Sequence, residues 1–371
     1  MTSRLLLFDI LKYVLTDHPC SVTLDKTVLS NVYYLSLAQG VSGIAFQGLH
    51  KMIMQGHGIE KTQLGDSSKV LNKWLASTAS IILHHDKIHQ LQNKLSMHLQ
   101  EAGIKALVIK GLSISLYYDE KNLRYFGDLD IFSPTYFQQI DDILKPISTH
   151  FSVDYYRHSE CMVDGVMVEN HRYLTDVRGQ SRFYKLENYL HHEASLSLAV
   201  RPAGGLYYPN ECFTFIFFIY HALNHFLYEK LSLRFLVDWC FMLNGCKEIT
   251  LDVLDEKLKE FGLMRFAATM TALCIERLGL REEFVSKGLL VEIKALSPTL
   301  LERFEEDIFV HDYEKFSTNS LKDRIIRGKA FYKKHWKIKW FLDTSTTAFL
   351  LEKIYALIKQ KLNFRRKCCS Y

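Results

Sequence analysis

Asp128 and Asp130 stand one residue apart in the segment Arg124-Tyr-Phe-Gly-Asp-Leu-Asp-Ile-Phe132. In an extended chain alternate side chains share a face, so the two carboxylates point one way while Leu129 and Ile131 point the other, toward a core. Like charges this close repel unless a cation lies between them, and an oxygen-only pair suits a hard divalent ion, Mg2+ or Mn2+. A lone D-x-D also fits the solvated rim of a strand. Upstream, Lys110-Gly-Leu-Ser113 lies between an apolar run and a helical stretch, where exposed backbone N–H groups and the helix dipole favour phosphate. Lys110 adds charge there and Ser113 a hydroxyl, although an ordinary turn has the same make-up. A third acid is needed where two metals clamp an attacking and a leaving oxygen. Glu169 is the candidate, because it closes the run Val166-Met-Val-Glu169 with His171 on its face; a glutamate at a hairpin edge is the plainer alternative.

Other residues give weaker signals. His221 and His225 are four apart, hence on one helix face with Asn224 beside them. That spacing can bind zinc, but the glutamate of H-E-x-x-H and a third ligand are missing, so packing beneath a cleft competes with it. Arg234 and Asp238 fit a pair across one helical turn; the other reading turns Arg234 toward phosphate. Residues 321–371 hold 14 Lys+Arg and 3 Asp+Glu, or +11 in a chain of net charge +5, which leaves −6 elsewhere. With Tyr332, Trp336, Trp340 and Tyr355, this segment suits an anionic surface of RNA or lipid headgroups; a solvated helical face is the alternative.

The elements that must position these groups are legible in the spacing of apolar residues. Lys105–Ile109 and Leu129–Phe132 read as strands, and Glu160–Val163 and Val166–Glu169 as a hairpin closed by Asp164-Gly165, the pair suited to a two-residue type I′ turn. Three- and four-residue spacing predicts helices over Arg4–Leu15, Leu29–Leu49, Ser80–Leu99, Leu112–Tyr118 and Thr135–Ile147. It also predicts one or two buried helices over Pro209–Leu243, and more at 251–262, 264–279, 287–304 and Thr347–Leu362. Between the hairpin and Pro209 the chain reads as a polar connection.

Composition bounds the class. The 371 residues, 48% hydrophobic and 23% charged, belong to a folded protein large enough for about two domains, not to a disordered or fibrous one. Eight scattered cysteines without a C-x-x-C pair read as reduced thiols, hence a cytoplasmic protein. The longest apolar stretch, Phe213–Leu223, falls short of the roughly 20 residues that span a bilayer. Any membrane contact is therefore expected to be peripheral.

Taken in order, Val108-Ile-Lys-Gly111, Arg124, Asp128-Leu-Asp130, Val168-Glu-Asn-His171, His221-Ala-Leu-Asn-His225 and Leu233-Arg-Phe-Leu-Val-Asp238 resemble the DNA polymerase β type of nucleotidyltransferase. The match is closer to its bacterial branch of uncharacterised nucleotidyltransferases and covers about residues 30–245. The resemblance implies an α+β protein, with a small mixed polymerase β-like sheet framed by helices at both ends. It divides the chain into a helical region (1–100), a catalytic core (101–205), a second helical domain (206–305) and a basic, aromatic tail (306–371). It implies transfer of a nucleoside monophosphate from a nucleoside triphosphate, ATP included, to an acceptor, with Asp128 and Asp130 holding the ions that bridge the triphosphate. Glu169 would complete the metal site and polarise the acceptor hydroxyl. Gly111 and Ser113 would cradle phosphates, Lys110 and Arg124 would counter their charge, and His221 and His225 would contact nucleotide or acceptor. Lys110-Gly111 departs from the superfamily's usual Gly-Ser or Gly-Gly pair. The acceptor stays open among a sugar, a small molecule, a protein side chain and RNA; a toxin-like enzyme acting on tRNA and a non-catalytic binding protein are the competing readings.

Overall fold

The apolar run Lys105–Ile109 becomes β1 and the acid-bearing run Asp128–Phe132 becomes β2, antiparallel to it with Ile109 opposite Asp130. The computed structural model describes residues 3–18, 26–55, 68–154, 157–176, 182–309 and 335–342, with short pieces at 344–345, 347–352 and 355. The other strands are β3 (His150–Asp154), β4 (His158–Val163), β5 (Val166–His171) and β6 (Gly205–Tyr207), in the order β3-β4-β5-β2-β1-β6. The sheet is mixed: β2 runs parallel to β5 and β1 parallel to β6, while β3, β4 and β5 form an antiparallel meander. The predicted hairpin is present, with Asp164 at φ 50° and Gly165 at φ 70°, the two left-handed residues of a type I′ turn. β3 and β6 were not expected from the sequence.

Helices cover both faces. Before the sheet come α1 (Ser3–Thr16), α2 (Lys26–Ala38), α3 (Ser42–Met54) and the 34-residue α4 (Ser68–Glu101). The expected single helix over Leu29–Leu49 is broken at Gln39–Val41. Gly40 explains the break: at φ 69° it takes the left-handed position past the end of α2, where the N–H of Val41 donates to the carbonyl of Ser36 (2.9 Å) and that of Gly40 to Leu37 (3.1 Å), while the buried Gln39 side chain accepts from the backbone N–H of Leu233 (2.9 Å) and donates to the carbonyl of Ile308 (3.0 Å). Short α5 (Gly111–Ser115) follows β1, and α6 (Phe137–Leu144) follows β2. The segment read as a polar connection holds α7 (Arg182–Ala199), an 18-residue helix. Next come α8 (Glu211–Tyr228) and α9 (Leu233–Gly245), the two buried helices, then α10 (Leu251–Glu260) and α11 (Met264–Leu278). The stretch 287–304 splits into α12 (Lys287–Lys294) and α13 (Pro298–Phe309), because proline favours the first turn of a new helix and interrupts an old one.

One apolar cluster lies against the face of the sheet that carries Leu107, Ile109 and Phe132, and it runs through α1, α8, α9 and α11 to α13. The other lies beneath Leu129, Ile131 and Val168, against the α4 stripe Ile88, Leu91, Leu95 and Leu99. Because β2 is buried on both sides, its two acids sit at a boundary, beside a hydrophobic core and at the floor of a cleft. On α6, Asp141 accepts from Asn170 Nδ2 (2.8 Å) and from the Ser159 hydroxyl, tying β5 and β4 to one anchor.

From the basic tail, α14 (His335–Phe341) is described, and it docks on α8. Lys337 is buried there, with its ammonium donating to the carbonyl of Phe226 (2.8 Å) and to Asp307 (2.5 Å). Trp336 and Trp340 pack against the core, Trp336 edge-on to Phe226 at 5.7 Å between centroids. This corrects the surface expectation for Lys337, which burial withdraws from any anionic surface, while Trp336 and Trp340 are half-buried with one side against the core. Most of segment 321–371, including Tyr332 and most of Thr347–Leu362, lies outside the described residues. Among the described residues, no helix is long and apolar enough to cross a membrane.

Candidate active site

Three strands deliver the acids to one face. In the register Asp130 lies beside Glu169, and Glu169 beside Glu160, so a row of carboxylates crosses β2, β5 and β4. Oxygens of Asp128, Asp130 and Glu169 come within 4.8 Å of one another, close enough to share a cation. The electrostatics show what the cluster lacks. Repulsion from Asp130, followed by burial, pushes the Asp128 carboxyl from its ordinary 3.8 up to about 7. Burial also opposes charge on Glu169, yet the hydrogen bond from His171 and the ammonium of Lys110 hold it well below the usual carboxylate range. A divalent ion would relieve the first and be met by the second, so the residues present fit Mg2+ or Mn2+.

Lys110 joins β1 to α5 at φ 54°, an uncommon backbone conformation for a residue with a side chain. From there its ammonium reaches back over the sheet to Asp130 Oδ1 (2.5 Å), Glu169 Oε2 (3.3 Å) and His171 Nε2 (3.1 Å). Burial works against its charge, but the three acids more than offset that and keep it protonated. Gly111 is sterically required: a Cβ there would stand 2.8 Å from Phe126 Cβ. Ser113 is turned away, donating to the carbonyl of Lys110 (3.0 Å), and it does not line the cleft that holds the acids. With five residues, α5 also has little dipole to offer a phosphate.

Arginine roles are exchanged relative to the sequence reading. Asp238 pairs with Arg124, not with Arg234: Arg124 Nε and Nη2 each donate to the carboxylate at 2.7 Å, and Nη1 donates to the carbonyl of Gly111 at 2.9 Å. Its guanidinium is committed inside the protein because α9 brings Asp238 up against the residue that ends the loop after α5. Arg234, one turn earlier on α9, lines the cleft beside Arg124 without being held by Asp238. It donates to the carbonyl of Tyr125 (3.2 Å) through Nη1, and its Nε is buried without a partner among the described residues. Arg157, which no sequence pattern singled out, also lines the cleft and has a buried Nε with no partner among the described residues.

The cleft, of about 460 Å3, is roofed by α8 and α9. His221, Asn224 and His225 face it from α8. His221 is packed edge-on to His225 with centroids 4.5 Å apart, and burial holds its imidazole well below the ordinary range, hence neutral. His225 Nδ1 meets Glu229 at 2.7 Å. Among the described residues the groups able to hold a metal ion lie on the sheet and include neither α8 histidine.

The raised Asp128 pKa has a consequence for stability. Between about pH 4 and about 7 the folded carboxyl keeps a proton that the unfolded one releases, so stability falls as pH rises through this window and stays lower above it. Asp128→Asn removes the penalty. In chelator-treated protein it should add about 1–3 kcal/mol at pH 8, against a ceiling of about 4 from roughly 1.4 per unit, and the gain should fade toward pH 4. Thermal melts at the two pH values check this; an equal gain at both would contradict it.

The family described as uncharacterised nucleotidyltransferase matches the chain over residues 28–279. No curated protein and no solved structure matches it.

Proposed function

The chain belongs to the uncharacterised nucleotidyltransferase family, and from that premise we propose that its cleft moves a nucleoside monophosphate from a nucleoside triphosphate to an acceptor hydroxyl through a divalent-cation site made by Asp128, Asp130 and Glu169. The observation that carries the reading is the acid trio on one sheet face, with Asp128 held near neutrality by its neighbour, at the floor of a cleft lined by Lys110, Arg157 and Arg234. In the reaction the acceptor oxygen bonds to the α-phosphorus, the bridge to the β-phosphate breaks, and pyrophosphate leaves as the acceptor gives up its proton. When bound by the trio, Mg2+ or Mn2+ supplies charge neutralisation for the phosphate oxygens.

The chain's own residues do the rest. Arg234 and Arg157, each with a buried Nε that no other described residue meets, can bind triphosphate oxygens, for which a planar guanidinium is well shaped. Lys110 is tethered to the acids and can turn its ammonium from carboxylate to phosphate by side-chain rotation. Glu169 stays ionised and can polarise the acceptor's hydroxyl, whose proton passes to solvent, with Lys110 and His171 orienting the carboxylate. Gly111 and Arg124 are assigned the support of the Lys110 turn, one by allowing Phe126 to pack and the other by holding the Gly111 carbonyl. Neutral His221 and the His225–Glu229 pair, opposite the acids, are placed to meet the base or the acceptor.

Incubation with Mg2+, each of four α-labelled triphosphates and cell extract tests the proposal. Label appearing in a separable product together with pyrophosphate release is expected. Absence of transfer with all four nucleotides in extracts containing sugars, proteins and RNA would count against it. Arg234→Met should raise the KM for the triphosphate roughly tenfold or more, the loss of a charged hydrogen bond, and leave the melting temperature nearly unchanged. An unchanged KM would remove Arg234 from the phosphate site.

A further inference from the structure

Next to the acid trio, the same sheet face carries a second, chemically different donor set. His158, Glu169 and His171 each present a ligand atom within 4.8 Å of the others. The register accounts for this: on β4 and β5, His158 lies opposite His171 and Glu160 opposite Glu169, so four polar side chains form a square, with the two rings 5.3 Å apart. Two features single it out from a chance cluster of polar groups. Glu160 Oε1 meets His158 Nε2 at 2.8 Å, which fixes the proton on that nitrogen and leaves the lone pair on Nδ1. Nδ1 is in turn buried with no hydrogen-bond partner among the described residues, a costly state unless something meets it.

We propose that His158, Glu169 and His171 bind one divalent ion of the nitrogen-preferring class, with Zn2+ as its reference member, at a site distinct from the all-carboxylate one. Two imidazoles and a carboxylate suit such an ion, whereas Mg2+ seeks oxygen alone. Three protein ligands leave a coordination position open, as in zinc sites that bind water or substrate. Glu160 is the orienting carboxylate behind His158, and Glu169 is shared with the trio. His171 Nε2 now faces Asp130 Oδ1 at 2.8 Å and the Lys110 ammonium at 3.1 Å, so ligation exchanges these contacts for the ion and turns Lys110 away. The site concerns binding by the chain without nucleotide, and it stands or falls apart from nucleotidyl transfer.

The test is titration of the metal-depleted full-length protein with Co2+, a spectroscopic stand-in for Zn2+, followed by the visible absorption of its imidazole complex and by competition with Zn2+. One ion per chain is expected. His158→Gln and His171→Asn should abolish the band. Glu160→Gln should weaken binding about tenfold through the lost orienting contact. Lys110→Met should tighten binding, because it removes a competing cation, and Asp128→Asn should leave the spectrum in place. Melting curves identify any histidine variant that fails to fold, in which case Glu160→Gln and Lys110→Met decide. Wild-type affinity in His158→Gln and Glu160→Gln, loss of the band in Asp128→Asn, or no nitrogen-ligated spectrum at all would each overturn the proposal. Because no nucleotide is present, none of these outcomes speaks to the Mg2+-dependent transfer assay.

Discussion

Replacing Asp128 and Asp130 together by asparagine is expected to abolish Mg2+-dependent transfer of label from a triphosphate, a loss of at least about 10³-fold, while the protein stays folded. The size follows from what the two carboxylates supply: removal of a single preorganised donor from a charge-stabilising site already costs about 10²–10³-fold, and here both strong oxygen ligands on β2 are lost. Folding should survive because asparagine matches aspartate in shape and removes a repulsion that raises Asp128 to about 7. Lys110 keeps Glu169 as a partner, and His171 keeps it as well. Labelled product and the thermal midpoint are measured on the same preparation. Retained transfer at the wild-type midpoint would sink the assignment of the trio, whereas loss of transfer with a collapsed midpoint would point to a structural role.

The acids were legible because strand geometry is local. Alternation in Asp128-Leu-Asp-Ile-Phe132 assigns each side chain to a face with no knowledge of the rest of the fold, and Asp164-Gly165 fixes the hairpin that lifts Glu169 and His171 onto that face. Partners chosen by docking were not legible. Asp238 could pair with Arg234 four residues away, yet it bonds to Arg124 at a separation of 114 residues, because the direction in which α9 packs decides the matter. The buried stripe of α7, Phe183, Leu186, Leu190 and Ala194, has helical spacing but is diluted by polar neighbours, so the segment reads as a connection. β6 is three residues long and acquires its identity from pairing with β1, roughly a hundred residues earlier in the chain. Arg157 precedes β4 in no recognisable motif, and only the walls of the cleft mark it.

Arg124→Met should be the most destabilising single change at this site, at about 3–5 kcal/mol, because it strands a buried aspartate. The Arg124 and Asp238 side chains are 4% and 1% exposed, so water cannot take over solvation of the carboxylate. The hydroxyl of Tyr118 donates to Asp238 Oδ1 at 2.5 Å and would be the one polar neighbour of the pair still bonded to it. Asp238→Asn should cost a comparable amount by stranding the guanidinium. Arg124→Met combined with Asp238→Leu should recover much of the loss, since an apolar pair of similar volume can replace a buried ion pair at little cost. Recovery should be incomplete, as the Gly111 carbonyl and the Tyr118 hydroxyl each forfeit a buried partner at about 1–3 kcal/mol. Denaturant unfolding of the four proteins gives the coupling energy directly. A cost below about 1 kcal/mol for Arg124→Met would show that the pair does little to hold α9 against the Lys110 turn. The double variant also separates stability from chemistry. Arg124 holds the Gly111 carbonyl and through it the turn that aims Lys110, so a variant restored in stability but still poor in transfer marks Arg124 as a positioning residue, and one restored in both confines it to folding.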